Sequence, residues 1–326
     1  MSSILFHARE AGVATMILAL EESLQVQGHE LFYDVDDHAA EILNNKRMGT
    51  IAEADIVVCG YDTAKRDRTG DFLKSVKNSL PSLGLLDSWK GVDRFWYPHG
   101  ELRPLTDRLI VPDENIRNYL ISKGMSENWS IATGHPYLEK LRNISILNRE
   151  KSKMEIRNHF GLKGDEKVML LMSEPLHIEN GKSLSLLSKD MIDGKNFIQW
   201  FNKEYGMEYR LAVRQHPLEE KNVPGEWLDV SSIDFDDALA LADKVCGLGS
   251  TTLAYAVAYG LDVRCLDKEI KDWIPESSDI PSLLWDALIE NGVFQNQPDR
   301  VSNMVMNTSK LSSIECITNE INRMLV

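Results

Sequence analysis

Short apolar runs, each closed by a polar or glycine-bearing turn and followed by a helical stripe, recur along this chain. That alternation restricts the fold more than any other feature. Ser3-Ile4-Leu5-Phe6 has the character of a buried strand. From Ala14 to Val26, Met16, Ile17, Leu20 and Leu24 recur at helical spacing, Gly28 closes the helix, and Glu30-Leu31-Phe32-Tyr33 begins a new strand. A strand–helix–strand unit of this length implies a right-handed parallel crossover. The pattern repeats at Asp55–Cys59, Leu83–Asp87 and Arg108–Pro112, with a helix over Glu114–Lys123 and a strand at Trp129–Ala132. A polar stretch over 138–166, helical around Glu150–Phe160, separates this series from a second. The second series has strands at Val168–Met172, Tyr209–Arg214, Lys244–Gly247 and Asp262–Leu266, with helices over 188–204, Asp236–Ala242 and Thr251–Tyr259.

Alternating strands and helices in two series predict two doubly wound α/β domains. The length of 326 residues agrees with that, at roughly 150 residues per domain. We assign 1–150 to an N-terminal Rossmann-like domain and 151–310 to a C-terminal one. Residues 311–326 form a terminal helix, whose stripe of Ile314, Ile317, Ile321 and Met324 should pack on one of them. The net charge of -14 opposes nucleic-acid binding and electrostatic docking on an anionic membrane. The first residues lack the basic start and apolar stretch of a signal peptide, and no long apolar window predicts a membrane span. A cytoplasmic protein with at most peripheral membrane association is expected. Cys59, Cys246, Cys265 and Cys316 are too scattered for a zinc knuckle or a redox pair.

Candidate chemistry gathers just past the predicted strands, where open α/β sheets bind their ligands. Gly247-Leu248-Gly249-Ser250-Thr251-Thr252 follows a strand and opens a helix. Free N–H groups, the helix dipole and two hydroxyls make that junction an anion site, or else a plain helix cap. Arg214-Gln215-His216-Pro217 ends another strand, and His216 there can donate to a phosphate. Ser173 and Glu174 follow Met172 and could bond a sugar, a phosphate or a ribose, or sit in a solvated turn. In the first series, His7-Ala8-Arg9-Glu10 follows the first strand, and Glu10 is a candidate general base. The loop holds no GxGxxG fingerprint. His99, within Tyr97–Glu101, and His135, within Gly134-His135-Pro136, could line a cleft, and His135 could equally serve as a hinge. Asp34, Asp36 and Asp37 superficially suggest a DxD metal motif, but a solvated turn fits their place better, so metal-independent chemistry without a cofactor is expected. The mixed charges over 60–80 fit a solvated helix better than a mobile acceptor loop, the other reading open for them.

The order of these segments resembles the GT-B superfamily of nucleotide-sugar enzymes. It runs from Glu10 through Leu109–Glu114, Thr133–Pro136, Ser173–Pro175 and Arg214–Pro217 to Ala242–Thr252. It is most similar to bacterial surface-polysaccharide transferases, including sialyl-, polysialyl- and Kdo-transferases. Those share an HP motif and a later Ser/Thr motif, and the sugar-nucleotide 2-epimerases are similar in outline. The resemblance implies two domains facing across a cleft and a nucleotide-sugar donor. It assigns His216 to the donor phosphate, Ser250 and Thr251 to phosphate at the helix start beside Gly249, and Glu10 to the base. An inverting glycosyltransferase with a glycan acceptor is therefore expected. The alternatives are a 2-epimerase or hydrolase and a non-catalytic nucleotide-binding relative.

Overall fold

The computed structural model describes residues 1–61, 66–76, 79–87, 105–178, 182–185, 187, 196–216, 219, 222–248, 251–266 and 311–326. By internal contacts the chain divides into two units. The first holds Met1–Lys140 with the C-terminal helix, and the second begins at Leu141.

The first unit runs β1 (Ser3–Ala8), α1 (Ala11–Val26), β2 (Glu30–Val35), α2 (Asp37–Ile42), a 3-10 turn (Ile51–Glu53), β3 (Ile56–Gly60), α3 (Arg66–Val76), β4 (Ser82–Leu85), β5 (Arg108–Val111), α4 (Glu114–Ser122), β6 (Ser130–Ala132) and α5 (Pro136–Asn143). Its six strands are parallel, in the order β2-β1-β3-β4-β5-β6. The direction of winding reverses between β1 and β3, so the ligand-binding switch point of this sheet lies past Ala8 and Gly60. The apolar runs read as strands are indeed buried: Ile4, Leu5, Phe6, Ile56, Val57 and Val58 lose all solvent contact. Helix ends follow local chemistry. Asp113 caps α4 by accepting from Ile116 N–H at 2.9 Å. Gly28 and Gly124, at φ 84° and 94°, close α1 and α4 in the left-handed conformation.

Helix α10 (Ser313–Met324) returns to this unit. Ser312 and Glu315 form a capping box at its start. Ile317 and Ile321 enter the core beside Met16, Leu20 and Leu24 of α1, with Ile314 and Met324 at the margin. Polar contacts fix the docking. Ser313 N–H donates to Glu139 at 2.6 Å, and Arg108 donates to Glu320 at 2.9 Å.

The second unit contains α6 (Ile146–His159), β7 (Val168–Met172), β8 (Pro175–Ile178), β9 (Lys182–Ser185), α7 (Phe197–Tyr205), β10 (Arg210–Arg214), β11 (Leu228–Asp229), α8 (Phe235–Leu241), β12 (Lys244–Gly247), α9 (Thr251–Tyr259) and β13 (Asp262–Cys265). Its parallel sheet has the order β11-β10-β7-β12-β13, which puts the switch point past Met172 and Gly247. Phe197, Phe201, Tyr205 and Trp227 pack over Met169, Leu171, Leu211 and Val213. Burying a ring such as that of Phe201, wholly shielded here, contributes about 2–3 kcal/mol. Helix α6 belongs with this unit because it packs on α8 and because Lys153 and Arg157 bond Asp243 at 2.6 and 3.1 Å. Burial pushes the Asp243 carboxyl up, but the Lys153 bond, the Val168 N–H and the two cations together bring it below its usual value.

The helix expected over 188–204 is present at Phe197–Tyr205, and 188–195 lie outside the described residues. Two sequence expectations need correction. The alternative of a plain turn at Ser173–Pro175 gives way to a strand, because Pro175–Ile178 pairs antiparallel with Lys182–Ser185. The aspartates at the end of β2 do not form a solvated turn. Asp34 lies within β2, next to its last residue, and is bonded to His7, Asp36 pairs with Arg9, and Asp37 opens α2. Partners supplied by the end of β1 hold the first two. The charged stretch over 60–80 does carry a helix, α3, which buries Leu73 and Val76.

Candidate functional site

In the second unit the switch point brings together the ends of β7, β10 and β12 and the start of α9. Ser173 and Glu174 continue β7, and Ser173 N–H donates to the Arg214 carbonyl at 3.0 Å, so the loops after β7 and β10 leave the sheet side by side. Gly247 closes β12. A Cβ there would lie 3.0 Å from the Met172 carbonyl oxygen and 3.3 Å from Leu253. Its hydrogen side chain lets β12 run tight against β7 and brings α9 down onto the strand ends. Thr251 and Thr252 open α9 with half-buried side chains. Amide N–H groups of a first helical turn, with the dipole behind them, favour an anion. Gly249 and Ser250 lie outside the described residues.

The β10 loop is heavily anchored. Arg214 donates to the carbonyls of Val230 and Ile233 at 3.0 and 2.6 Å and lies over the Phe235 ring. Its guanidinium therefore tethers the approach to α8. Gln215 N–H donates to Ser231 at 3.0 Å, and Asn222 N–H donates to the Gln215 side chain at 3.3 Å. His216 follows, half-buried. Its N–H donates to Glu219 Oε2 at 2.8 Å, and Glu219 N–H donates back to the His216 carbonyl at 2.9 Å. The other oxygen of Glu219 accepts from the Ser173 hydroxyl at 2.8 Å. Sequence reasoning passed over Glu219. The signal available was a carboxylate three residues beyond His216, the spacing that returns a side chain to a turn's first N–H.

In the first unit, Glu10 is the N-cap residue of α1. Its backbone is extended, and its side chain makes no capping bond to the helix. The loop that carries it is tied to the end of β2: Asp36 N–H donates to the Ala8 carbonyl at 3.2 Å and Ala39 N–H to the Arg9 carbonyl at 3.0 Å. His7, fully buried, stacks flat on Phe72 at 3.7 Å, and its Nδ1 bonds Asp34 at 2.8 Å. That bond holds the Asp34 carboxyl below its usual range. Asp87, just past β4, is also buried, with its carboxylate against Gly12 in the first turn of α1. Gly12 is a matter of space here, since a Cβ would fall 1.7 Å from Asp87 Oδ2.

His135 is buried at the start of α5, where its Nδ1 accepts from Leu138 N–H at 3.4 Å and its ring bonds the Asp87 backbone. Burial pushes its pKa down to about 3, so the ring is neutral and joins the end of β4 to α5. His99 lies outside the described residues. Thus Ser173, Glu174, His216 and Thr251 share the strand ends of the second sheet, while Glu10 and His135 belong to the first unit with Asp87. Among the described residues, no group of three or more His, Cys, Asp or Glu is arranged to hold a metal. No helix among them is long and apolar enough to cross a membrane.

No family model matches this chain. Solved structures do resemble it along nearly its whole length. Staphylococcus aureus MnaA in its co-structure with UDP superposes with a TM-score of 0.62 at 15% identity, over 100% of this chain and 97% of that one. The wall teichoic acid polymerase TagF gives 0.60 at 15% identity, over 99% and 88%. The UDP-GlcNAc 2-epimerase of Neisseria meningitidis bound to UDP-GlcNAc gives 0.59 at 13% identity, over 98% and 100%. The chain therefore has the GT-B type of fold found in nucleotide-sugar enzymes, built on two parallel-sheet Rossmann-like units.

Proposed function

We propose that this protein is a metal-independent glycosyltransferase that moves a sugar from a nucleotide-sugar donor to a glycan acceptor in bacterial surface-polysaccharide synthesis. The observation that carries the reading is the switch point of the second sheet. There Gly247 brings the start of α9, with Thr251 and Thr252, down beside the loops bearing Ser173, Glu174 and His216. A helix N-terminus and an imidazole at the strand ends of one sheet suit a diphosphate or monophosphate leaving group, whose charge grows as the glycosidic bond breaks. In this reading Ser250 and Thr251 receive the phosphate beside Gly249, His216 donates to it, and Glu174 accepts from ribose or base. Glu10 takes the proton of the acceptor hydroxyl as its oxygen attacks the sugar, and the bonding pair leaves with the nucleotide.

A thermal-shift series with CMP, UDP, GDP, ADP and dTDP tests the first half. One nucleotide should raise Tm, because binding to the folded state alone stabilises it. No shift with any of them removes the donor-site assignment. Glu10→Gln tests the second half. It should abolish transfer and leave nucleotide binding intact, and unchanged turnover would remove Glu10 from the role.

A 2-epimerase is the second reading, and Asp87 favours it. Proton exchange on a sugar carbon needs more than one acid or base, and Asp87 adds a buried carboxylate in the first unit to Glu10. The likeness to the Neisseria UDP-GlcNAc 2-epimerase supports it as much as that to the TagF polymerase supports transfer. Incubation with UDP-GlcNAc alone separates the two, since an epimerase turns over without an acceptor.

A further inference from the structure

We propose that Glu219 is the positioning residue of the donor site and that it sets the phosphate contact of His216; the inference rests on the reading of the second unit as the nucleotide-binding one. Strands β7 and β10 are paired neighbours, and their last matched residues are Met172 and Arg214. Beyond that pair, Ser173 N–H still reaches the Arg214 carbonyl at 3.0 Å. One step further the backbones part, and the Glu219 carboxylate spans the gap. Oε1 accepts the Ser173 hydroxyl and Oε2 accepts the His216 N–H, each at 2.8 Å. Glu219 thus adds a side-chain rung to the β7–β10 ladder at the point where the ladder's own hydrogen bonds stop. The carboxylate is buried, and hydrogen bonds to a charged acceptor are roughly twice as strong as neutral ones. The rung fixes where His216 leaves the sheet, and so where its imidazole lies relative to the start of α9.

The same geometry divides the labour among the polar groups. The Ser173 proton is committed to Glu219, so toward a ligand its oxygen offers only lone pairs. Lone pairs accept from a sugar or ribose hydroxyl and repel an ionised phosphate. Ser173 therefore serves the hydroxyl-bearing part of the donor, and His216 with the first turn of α9 serves the phosphate.

Binding of CMP and UDP, each beside its parent nucleoside, tests this by titration calorimetry on the full chain. Glu219→Gln keeps the shape and one acceptor oxygen but cannot accept both donors. It should weaken the nucleotide about tenfold and leave the nucleoside unchanged. His216→Gln should do the same, and the double variant should be no worse than either single one, because Glu219 acts through His216. Glu219→Gln binding the nucleotide as wild type does, losing nucleoside affinity equally, or adding its full effect to that of His216→Gln would each overturn the proposal while the donor-site reading stands. If GDP, ADP or dTDP is the nucleotide that raises Tm, it and its nucleoside take the place of CMP and UDP, and wild type that binds none of the five overturns that reading and this one with it. Should Glu219→Ala fail to fold, Glu219→Gln, confirmed by an unchanged apo Tm, carries the test.

Discussion

The two units end their parallel strands at comparable switch points, yet they furnish those ends differently. In the first unit the ends of β1, β2 and β4 and the start of α5 carry His7, Asp34, Asp87 and His135, of which all but the half-exposed Asp34 are buried. The polar groups there are ionisable, and several are committed to one another. In the second unit the corresponding ends carry hydroxyls and backbone amides around Gly247 and α9, with Glu174 and His216 beside them and the Glu219 carboxylate engaged by the Ser173 hydroxyl and the His216 N–H. Carboxylates and imidazoles paired with one another suit proton handling, whereas the backbone N–H groups of a helix start suit an anion. The residues just past each strand furnish a common fold in two ways, and the difference can be broken from either side.

The largest expected effect is at Gly12. In an exposed helix Gly→Ala gains about 1 kcal/mol. Here the new Cβ meets Asp87 Oδ2 at 1.7 Å and must drive the carboxylate out of its seat at the start of α1. Gly12→Ala should instead lose about 2–3 kcal/mol in urea unfolding. Adding Asp87→Ala should recover part of the loss, because the clash then disappears. Equal losses in the single and double variants would mean that Asp87 does not own that space.

Much of this contrast was legible in the sequence. Fully buried strands such as Ile56–Gly60 and Val168–Met172 announce themselves as unbroken apolar runs, since both faces of a parallel sheet are covered. The strand-end loops bearing Glu10, Ser173, His216 and Thr251 could be placed for the same reason. The elements that escaped notice lack such a signal. The hairpin of β8 and β9 and the brief β11 are short and polar, and α2 is a single charged turn or so. The commitments of Asp34 to His7, of Asp87 to Gly12 and of Glu219 to Ser173 join residues far apart in the chain. A local reading sees each as one more carboxylate, because the partner is chosen by the register of the sheet.

Acid should produce the next largest effect. The folded chain resists protonating His135 until about pH 3, whereas the unfolded chain takes that proton near 6.5. Between those values the unfolded chain binds more protons, so stability falls as pH falls, by up to ~1.4 kcal/mol per unit. Between pH 7 and 5 this amounts to ~2 kcal/mol. Asp34, lowered by its bond to His7, contributes its own loss only near and below its unfolded value of 3.8. Urea midpoints at pH 7 and 5 for wild type and His135→Gln check the assignment. The variant should show a shallower fall between the two pH values, and an identical fall would place the acid sensitivity elsewhere.

The smallest effect is expected at Gly247, and it sharpens the contrast with Gly12. Both glycines stand where a Cβ lacks room, but the obstacles differ. At Gly12 it is the tip of a side chain, displaced outright. At Gly247 it is the Met172 carbonyl oxygen at 3.0 Å and Leu253 at 3.3 Å, which need yield only a few tenths of an ångström. Gly247→Ala should therefore cost about 1 kcal/mol, near the low end for overpacking. The strain has nowhere to go except into the spacing of β7 and α9, since Met172 precedes Ser173 and Leu253 lies in the first turn of that helix. Nucleotide affinity should consequently fall by more than the small stability change suggests, by about fivefold or more if the phosphate contacts share that spacing. A variant that loses stability but binds nucleotide as wild type does would uncouple the Gly247 approach from the anion seat and leave the first turn of α9 to hold it alone.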